Sequence, residues 1–382
     1  MPTDVSIAST ARTPIATAYK GSLVAVDAFQ LAEIAIGAAV ERSGIPAADI
    51  EDLGVGESMQ GGGNVGRNVA VRLGLTGVPG VATQRWCASG MSGVQWVAAN
   101  IAAGMIDVGI GAGTESMSTA PGTTKAGEPW MSPGNEDTPE APPFNMAFTV
   151  GDNTARLAGI SRQDADEWTL RSHQNAIRAI DEGRFEPEIV PVPLSDGTSF
   201  TTDEHPRRGS TIEKLASLPL LNPDLPHAVT TAASSSGLND AAAALVMCSR
   251  EYADAHGLRP LAAIRGWASA GVDPVETGLA PAKALPLALA KAGIGVSDVE
   301  SVEVNEAFAT VAVAFHRSLD LDPEIVNVNG SGCSLGHPIG CTGARMIVTM
   351  VNELIRSDAQ WGAVAMCAAG GMGSATVIER LG

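Results

Sequence analysis

Short apolar strands that run into glycine, each followed by an alanine-rich helix, make up most of this chain. A strand starts within the opening residues, Met1-Pro2-Thr3-Asp4-Val5-Ser6-Ile7, and an Ala-rich helix is predicted over 28–42. An apolar stretch at 78–82 breaks into small residues, and 94–105 reads as a helix. Strands ending in glycines follow at 107–113 and 363–371. Segment 44–57 can be laid on 293–306 with a constant offset of 249 (293 − 44 and 306 − 57 alike), and the residues coincide at six positions. Helices predicted at 28–42 and 284–292 precede the two segments. A duplicated strand-helix unit predicts two similar α/β halves with largely parallel, helix-covered sheets.

Between the halves the pattern changes. From about 118 to 222 the chain is rich in Pro, Gly, Thr and charge. Pro121, Pro129, Pro133, Pro139, Pro142 and Pro143 exclude regular helix from the first part. Ser161, with Asp164 three residues on, caps a helix predicted over 163–182, and Gly183 ends it. An excursion of this length out of a compact domain is usually functional. The first half resumes at 237–247, read as a small-residue helix followed by a strand. The domain organisation expected is therefore residues 1–117 with 237–260, an inserted loop domain at 118–236, and a second half at 261–382.

Composition narrows the class. The chain has 382 residues, enough for more than one core. No apolar run approaches a membrane span. The opening residues show neither a secretory nor an organellar leader pattern, so a cytoplasmic protein is expected. A net charge of −18 argues against nucleic acid and anionic membrane as partners. A local basic patch, Arg207, Arg208 and Lys214 within 203–214, leaves room for a small anionic ligand. The five cysteines are odd in number and form no CxxC pair, which points away from disulfides, a zinc site or any other metal centre.

Cys87 is the first chemical candidate. It lies in Thr83-Gln84-Arg85-Trp86-Cys87-Ala88-Ser89-Gly90, on a strand-to-helix turn at the positive end of a helix. Such a position is expected to lower the thiol pKa and favour the thiolate. The bland alternative is a buried small hydrophobe. Three further segments lie at strand ends, where ligands bind in open α/β sheets. Asn305-Glu306-Ala307-Phe308-Ala309 opens a helix directly after a strand at 302–304, and Gly336-His337-Pro338-Ile339-Gly340 holds a histidine in a glycine-rich turn. The third, Met366-Cys367-Ala368-Ala369-Gly370-Gly371, carries a second thiol. His337 is the best base, since His173, His205, His227, His256 and His316 read as helical or exposed. Cys367 suits a resolving cysteine or a general acid/base, and the glycines beside it would let backbone N–H groups reach a substrate oxygen. Cys248, Cys333 and Cys341 read as structural.

Together these residues resemble the thiolase family, the acetyl-CoA acetyltransferases and 3-ketoacyl-CoA thiolases. The resemblance spans nearly the whole chain. Its carriers are Cys87-Ala88-Ser89-Gly90, Gly113-Thr114-Glu115-Ser116-Met117-Ser118, Asp203-Glu204-His205-Pro206-Arg207, Ser236-Gly237-Leu238-Asn239-Asp240, Asn305-Glu306-Ala307-Phe308, Gly336-His337-Pro338-Ile339-Gly340 and Cys367-Ala368-Ala369-Gly370-Gly371. It implies a duplicated five-layered αβαβα fold with an inserted loop domain, and an acyltransferase working on CoA thioesters in lipid metabolism. Cys87 would be acylated and His337 would activate it. Asn305 would hold a water that, with His337, stabilises the thioester enolate. Cys367 would move the proton at the α-carbon of acetyl-CoA. The N–H groups of Cys87 and Ala369 would form an oxyanion hole, and Arg207, Ser236, Ala307 and Phe308 would contact CoA. No permanently bound cofactor is implied, and members are dimers or tetramers.

Some positions depart from the family pattern. Ala369 stands where members usually have Gly, and Phe148-Thr149-Val150-Gly151 lacks the histidine of many short-chain biosynthetic members. Cys333, in the turn before His337, is unusual. Residues 116–143 and 145–151 are expected to shape the acyl pocket, and neither stretch is family-typical. The alternatives are a decarboxylating ketoacyl synthase, a non-catalytic thiolase-like acyl-CoA or lipid binder, and a thiol-redox protein. Asn305 and Cys367 speak against the first, the intact set of four catalytic residues against the second, and the missing CxxC against the third.

Overall fold

The computed structural model describes residues 4–60, 62–121, 124–125, 128–129, 134–144 and 146–382. Parts of the stretches expected to shape the acyl pocket, Asn145 among them, lie outside the described residues. In chain order the first half holds β1 (Val5–Arg12), α1 (Ala28–Ser43), β2 (Asp52–Gly56), α2 (Val65–Arg72), β3 (Val81–Thr83), α3 (Ser89–Ala102) and β4 (Val108–Ser116). The excursion carries α4 (Val150–Ala158) and α5 (Arg162–Asp181), and the first half resumes with β5 (Asn239–Ser249). The second half holds β6 (Ala262–Gly271), α6 (Ala280–Ala292), β7 (Ser301–Val304), α7 (Ala309–Ser318), α8 (Gly332–Leu335), α9 (Thr342–Ser357), β8 (Trp361–Ala368) and β9 (Met372–Arg380).

The repeat seen in the sequence is a repeat of topology. The first half runs β3-β2-β4-β5-β1 across its sheet, and the second runs β7-β8-β9-β6, with a bridge from Val302 to Val326 in the place of β3. The offset of 249 maps Asp52 at the start of β2 onto Ser301 at the start of β7. The halves join edge to edge where β1 meets β6 through Val5↔Ile264, Ser6↔Ala263 and Ile7↔Ala262. The sheets are mixed, which corrects the expectation of largely parallel ones. Among the named strands, parallel pairing joins β2 with β3 and β4, and β7 with β8; the pairs β1–β5, β5–β4, β6–β9 and β8–β9 are antiparallel.

Helices cover both faces. α1 packs outside the first sheet and α6 outside the second, while α3 and α9 pack on each other between the sheets, giving five layers, αβαβα. α1 starts at the Asp27 cap, whose carboxylate accepts the Gln30 N–H at 2.8 Å, and stops at Gly44 in the left-handed region. The predicted box on α5 is present, with Ser161 and Asp164 bonded reciprocally.

Segment 237–247 corrects a second expectation. Residues Asn239 to Ser249 form one fully buried strand, with no helix before it. Ala241 to Ala244 have high helix propensity, but β5 lies between β1 and β4 with α1 and α9 on its two faces. Small side chains let both helical layers approach, and tertiary context overrides the local preference.

Two polar clusters pin the excursion down. Buried Arg12 on β1 donates to Glu188 at 2.6 Å and to both oxygens of Asp203 at 2.8 and 2.9 Å. Buried Glu306 accepts from Trp168 Nε1 at 2.8 Å and Ser172 Oγ at 2.6 Å on α5, and from the Cys333 N–H at 3.2 Å. Among the described residues no helix is long and apolar enough to cross a membrane.

Candidate active site

The turn that carries Cys87 is tight and strained. Trp86 sits at φ 46°, a left-handed conformation for a bulky residue. Ser89 holds the turn: its hydroxyl accepts the Arg85 N–H at 2.9 Å and donates to the Trp86 carbonyl at 2.6 Å. α3 begins at Ser89, five residues earlier than predicted, so Cys87 lies just outside the helix start.

The His337 turn reaches this helix because glycines allow it. A methyl group on Gly90 would stand 2.7 Å from the Gly340 carbonyl oxygen, and one on Gly113 would stand 2.5 Å from the same atom. The backbone of 336–340 is thus seated on α3 and β4, and the two halves meet at their reactive turns. The His337 N–H donates to Asn239 Oδ1 at 2.9 Å. His337 Nδ1 lies 2.6 Å from Thr342 Oγ1, and that hydroxyl donates to the Pro338 carbonyl at 2.9 Å. The hydroxyl proton being committed, Oγ1 accepts from Nδ1–H. Nε2 is left as the acceptor, buried and without a protein partner.

The second thiol arrives on a hairpin. Cys367 lies near the end of β8, buried, opposite Gly373 on β9. Ala369 opens the turn between these strands, and its backbone N–H, like that of Cys87 itself, favours the charged form of the Cys87 thiol. Asn305 follows β7, its N–H bonded to the Ala365 carbonyl at 2.9 Å. Its side-chain oxygen and nitrogen are both buried without a protein partner. α7 starts at Ala309, four residues beyond Asn305, so Asn305 lies on a connecting turn and does not open the helix.

Burial sets the charge state of the site. The Cys87 residue keeps partial exposure, but its sulfur is desolvated, and that pushes the thiol up to about 11; the N–H groups of Ala369 and Cys87 pull it down by less, and the Glu115 charge adds to the rise. The expectation of a lowered thiol pKa is corrected: desolvation outweighs the helix terminus. Burial, then Cys87, raises the Cys367 thiol as well. Burial, then Arg345, holds His337 down to about 3. The resting pair is neutral thiol and neutral imidazole. Alkylation of Cys87 by iodoacetamide, followed on its own peptide by mass spectrometry, should therefore keep climbing beyond the ordinary thiol pKa of about 8.5. A plateau at or below that pH would show a thiolate already formed at neutrality.

Three of the four residues expected to contact CoA come together. The Ser236 N–H donates to the Ala307 carbonyl at 2.9 Å, and Ser235 bridges Phe308. Arg207 is exposed, with its N–H on His173 Nδ1 at 3.2 Å. Its loop rests against the same segment, since a methyl on Gly237 would stand 2.4 Å from the His205 ring. His173 is buried, contrary to the expectation of an exposed residue, because α5 turns it onto this loop. Cys248, Cys333 and Cys341 are buried. Thr342, Asn239 and Glu306 were not singled out in the sequence. Asn239 and Glu306 act through hydrogen bonds across the fold and Thr342 through one to His337 five residues away, and only their place in or beside the motif runs pointed to them.

The comparisons with known proteins agree over the whole length. The family model described as "Thiolase, N-terminal domain" matches residues 5–251, and "Thiolase, C-terminal domain" matches 258–380. A 3-ketoacyl-CoA thiolase of Bacillus subtilis is 38% identical, over 98% of this chain and 98% of its own. The crystal structure of an acetyl-CoA acetyltransferase of Bacillus anthracis superposes with a TM-score of 0.91 at 37% identity, covering 100% of this chain and 99% of the other. A human mitochondrial 3-ketoacyl-CoA thiolase in complex with CoA gives 0.90 at 31% identity, over 99% and 98% of the two chains. With both of its halves matched and its reactive turns facing one another, the chain belongs to the thiolase family of acyltransferases.

Proposed function

We propose that the protein cleaves 3-ketoacyl-CoA with free CoA, and runs the reverse Claisen condensation, through an acyl group on Cys87. What supports this is the meeting of the reactive turns of the two halves: the His337 turn is seated on Gly90 of the Cys87 helix, and the hairpin that carries Cys367 brings the Ala369 N–H to favour charge on Cys87. One sulfur is placed for an acyl group and the other for a proton.

In the thiolytic direction the Cys87 proton passes to His337 Nε2 as the sulfur attacks the 3-keto carbon. Thr342 keeps Nδ1 protonated, so Nε2 is the atom that receives it. The N–H groups of Cys87 and Ala369 would hold the oxyanion. Collapse breaks the bond between C2 and C3, and the electron pair leaves as the enolate of acetyl-CoA. His337 and a water on the free amide of Asn305 stabilise its oxygen, and the Cys367 thiol delivers a proton to C2. The proton on His337 then passes to the Cys367 thiolate; a CoA thiol attacks the acyl group on Cys87 and gives its proton to His337, which returns it to the departing Cys87 sulfur. The kinetics are ping-pong.

On this reading residues 118–236 bind CoA and the acyl chain, between the halves 1–117 with 237–260 and 261–382. Arg207 meets the anionic end of CoA, and Ser236, Ala307 and Phe308 line its path. The protein acts in the cytoplasm as a homodimer or homotetramer, with CoA thioesters as substrates and no resident cofactor. The test is thiolysis of 3-ketoacyl-CoA esters of graded length, branching and ring content, with intact-mass detection of the enzyme before CoA is added. The expected result is one acyl group on the Cys87 peptide. Turnover with no acyl-enzyme at any chain length would overturn the mechanism.

A further inference from the structure

Glu115 is a fully buried carboxylate that none of the steps above uses. It lies on β4 beneath the meeting point of the reactive turns. Oε2 accepts the Gly340 N–H at 2.9 Å, from the turn that carries His337. Oε1 accepts from the Gln60 side chain, and the Met59 N–H lies 3.4 Å from both oxygens. One side chain thus ties β4, the loop after β2 and the His337 turn together. Its hydrogen-bond partners are all neutral. The titratable groups that face it are Asp240 on β5, which disfavours its charge, and Cys87 and Cys341, whose thiols its charge pushes up. Asp240 is occupied elsewhere, by the Ser118 N–H at 3.0 Å and the Ser118 hydroxyl.

The geometry points to Glu115 as a positioning residue for the acyl-transfer reaction, its charged carboxylate holding the His337 turn against the Cys87 helix and its protonation loosening that hold. A carboxylate presents an acceptor on both sides, and donors occupy both sides here. A proton on either oxygen sets a donor against a donor. Gln60 can turn its amide to accept a proton on Oε1, but the Gly340 N–H then keeps a neutral acceptor in place of a charged one, and the weaker bond lets the His337 turn shift. His337 Nε2 has no protein partner of its own to keep it aimed. A displacement near 1 Å at such a group costs about 10²-fold in rate.

The charge balance supports an acid limb in the working range. Burial raises the Glu115 carboxyl to about 7, against the opposing pull of Gln60 and the Gly340 and Met59 N–H groups. The hold is firm above that pH and weakens as pH falls through it. Gln60 favours the charged form, so removing it moves the limb to higher pH.

This inference rests on His337 as the base of an acyl transfer. The experiment is the pH profile of kcat/KM for thiolysis in the wild-type protein, Glu115→Gln and Gln60→Ala, with KM for CoA and acyl-enzyme formation measured alongside. Glu115→Gln should lose about 10²-fold in kcat on the alkaline plateau, keep KM for CoA within about twofold, and lack the acid inflection. Gln60→Ala should keep most of the plateau rate and shift the inflection upward. An inflection that persists in Glu115→Gln, or one that Gln60→Ala leaves in place, overturns the role of Glu115. Should Glu115→Gln fail to fold, Gln60→Ala decides alone. A wild-type protein that forms no acyl-enzyme would instead overturn the proposed function.

Discussion

Cys87→Ala folds, binds CoA and turns over no substrate. The expected loss is about 10⁴-fold or more in thiolysis and in condensation, because the substitution removes the only atom that carries the acyl group between half-reactions. No neighbour replaces it. Cys367 is buried on the hairpin behind Ala369, and Cys341 is buried at the start of α9 with its thiol raised to about 12. The cost in stability is about 1 kcal/mol, that of trimming one small side chain. Ser236, Ala307 and Phe308 are held by backbone bonds that do not pass through Cys87, so CoA affinity survives. The measurement is a steady-state assay beside calorimetric titration with CoA. Undiminished turnover would sink the acyl-enzyme. Loss of CoA binding together with activity would show instead that Cys87 supports the turn.

That experiment separates a property legible in the sequence from one that was not. The position of Cys87 could be read from the residues because a strand, a small-residue turn and a helix leave a local trace. His337 and Cys367 could be read for the same reason, each in a glycine-rich run at a strand end. The charge state of Cys87 could not. Its thiol is raised by burial and pulled back in part by the Ala369 N–H, and both depend on the folded whole, Ala369 lying 282 positions further along the chain (369 − 87). A helix terminus is local and visible; the burial around it is neither. The same division explains β5. Its alanines carry a local preference for helix, and the layers that make them a strand come from the far ends of the chain. Thr342 fixes the tautomer of His337 through a local bond, five residues on, while Asn239 holds its backbone through a bond that exists only once the halves have met.

A neutral resting pair also bears on why the fold needs two halves. With the thiol high and the imidazole low, Cys87 is protected from adventitious electrophiles until a substrate carbonyl reaches the two N–H donors. On the proposed reading, proton transfer to His337 then costs less, because the developing charge moves onto an oxygen held by the N–H groups of Cys87 and Ala369. The donors belong to different halves, Cys87 to the first and Ala369 to the second. The turns are kept in register by Gly90, Gly113 and Gly340, where no side chain would fit between them.

Cys367→Ala should split the reaction into a part that survives and a part that does not. Transfer of an acetyl group from acetyl-CoA to Cys87 needs the nucleophile, His337 Nε2 and the oxyanion donors, and it moves no proton at carbon. The variant therefore still accumulates acetyl-enzyme. Carbon–carbon bond formation and cleavage require a proton to leave or reach C2, and general acid-base assistance there contributes about 10²–10⁴-fold. Condensation and thiolysis should fall by that factor. The environment of Cys367 fits the donor role: burial, and any charge on Cys87, keep its thiol protonated until an enolate forms beside it. Serine in its place keeps the shape but holds its proton more tightly, so Cys367→Ser should behave like the alanine variant in turnover. The decisive readout is exchange of the α-protons of acetyl-CoA with deuterated water, catalysed by wild type and lost in both variants. Exchange at the wild-type rate in Cys367→Ala, with acetyl-enzyme still formed, would assign the proton to His337 and leave Cys367 a packing residue.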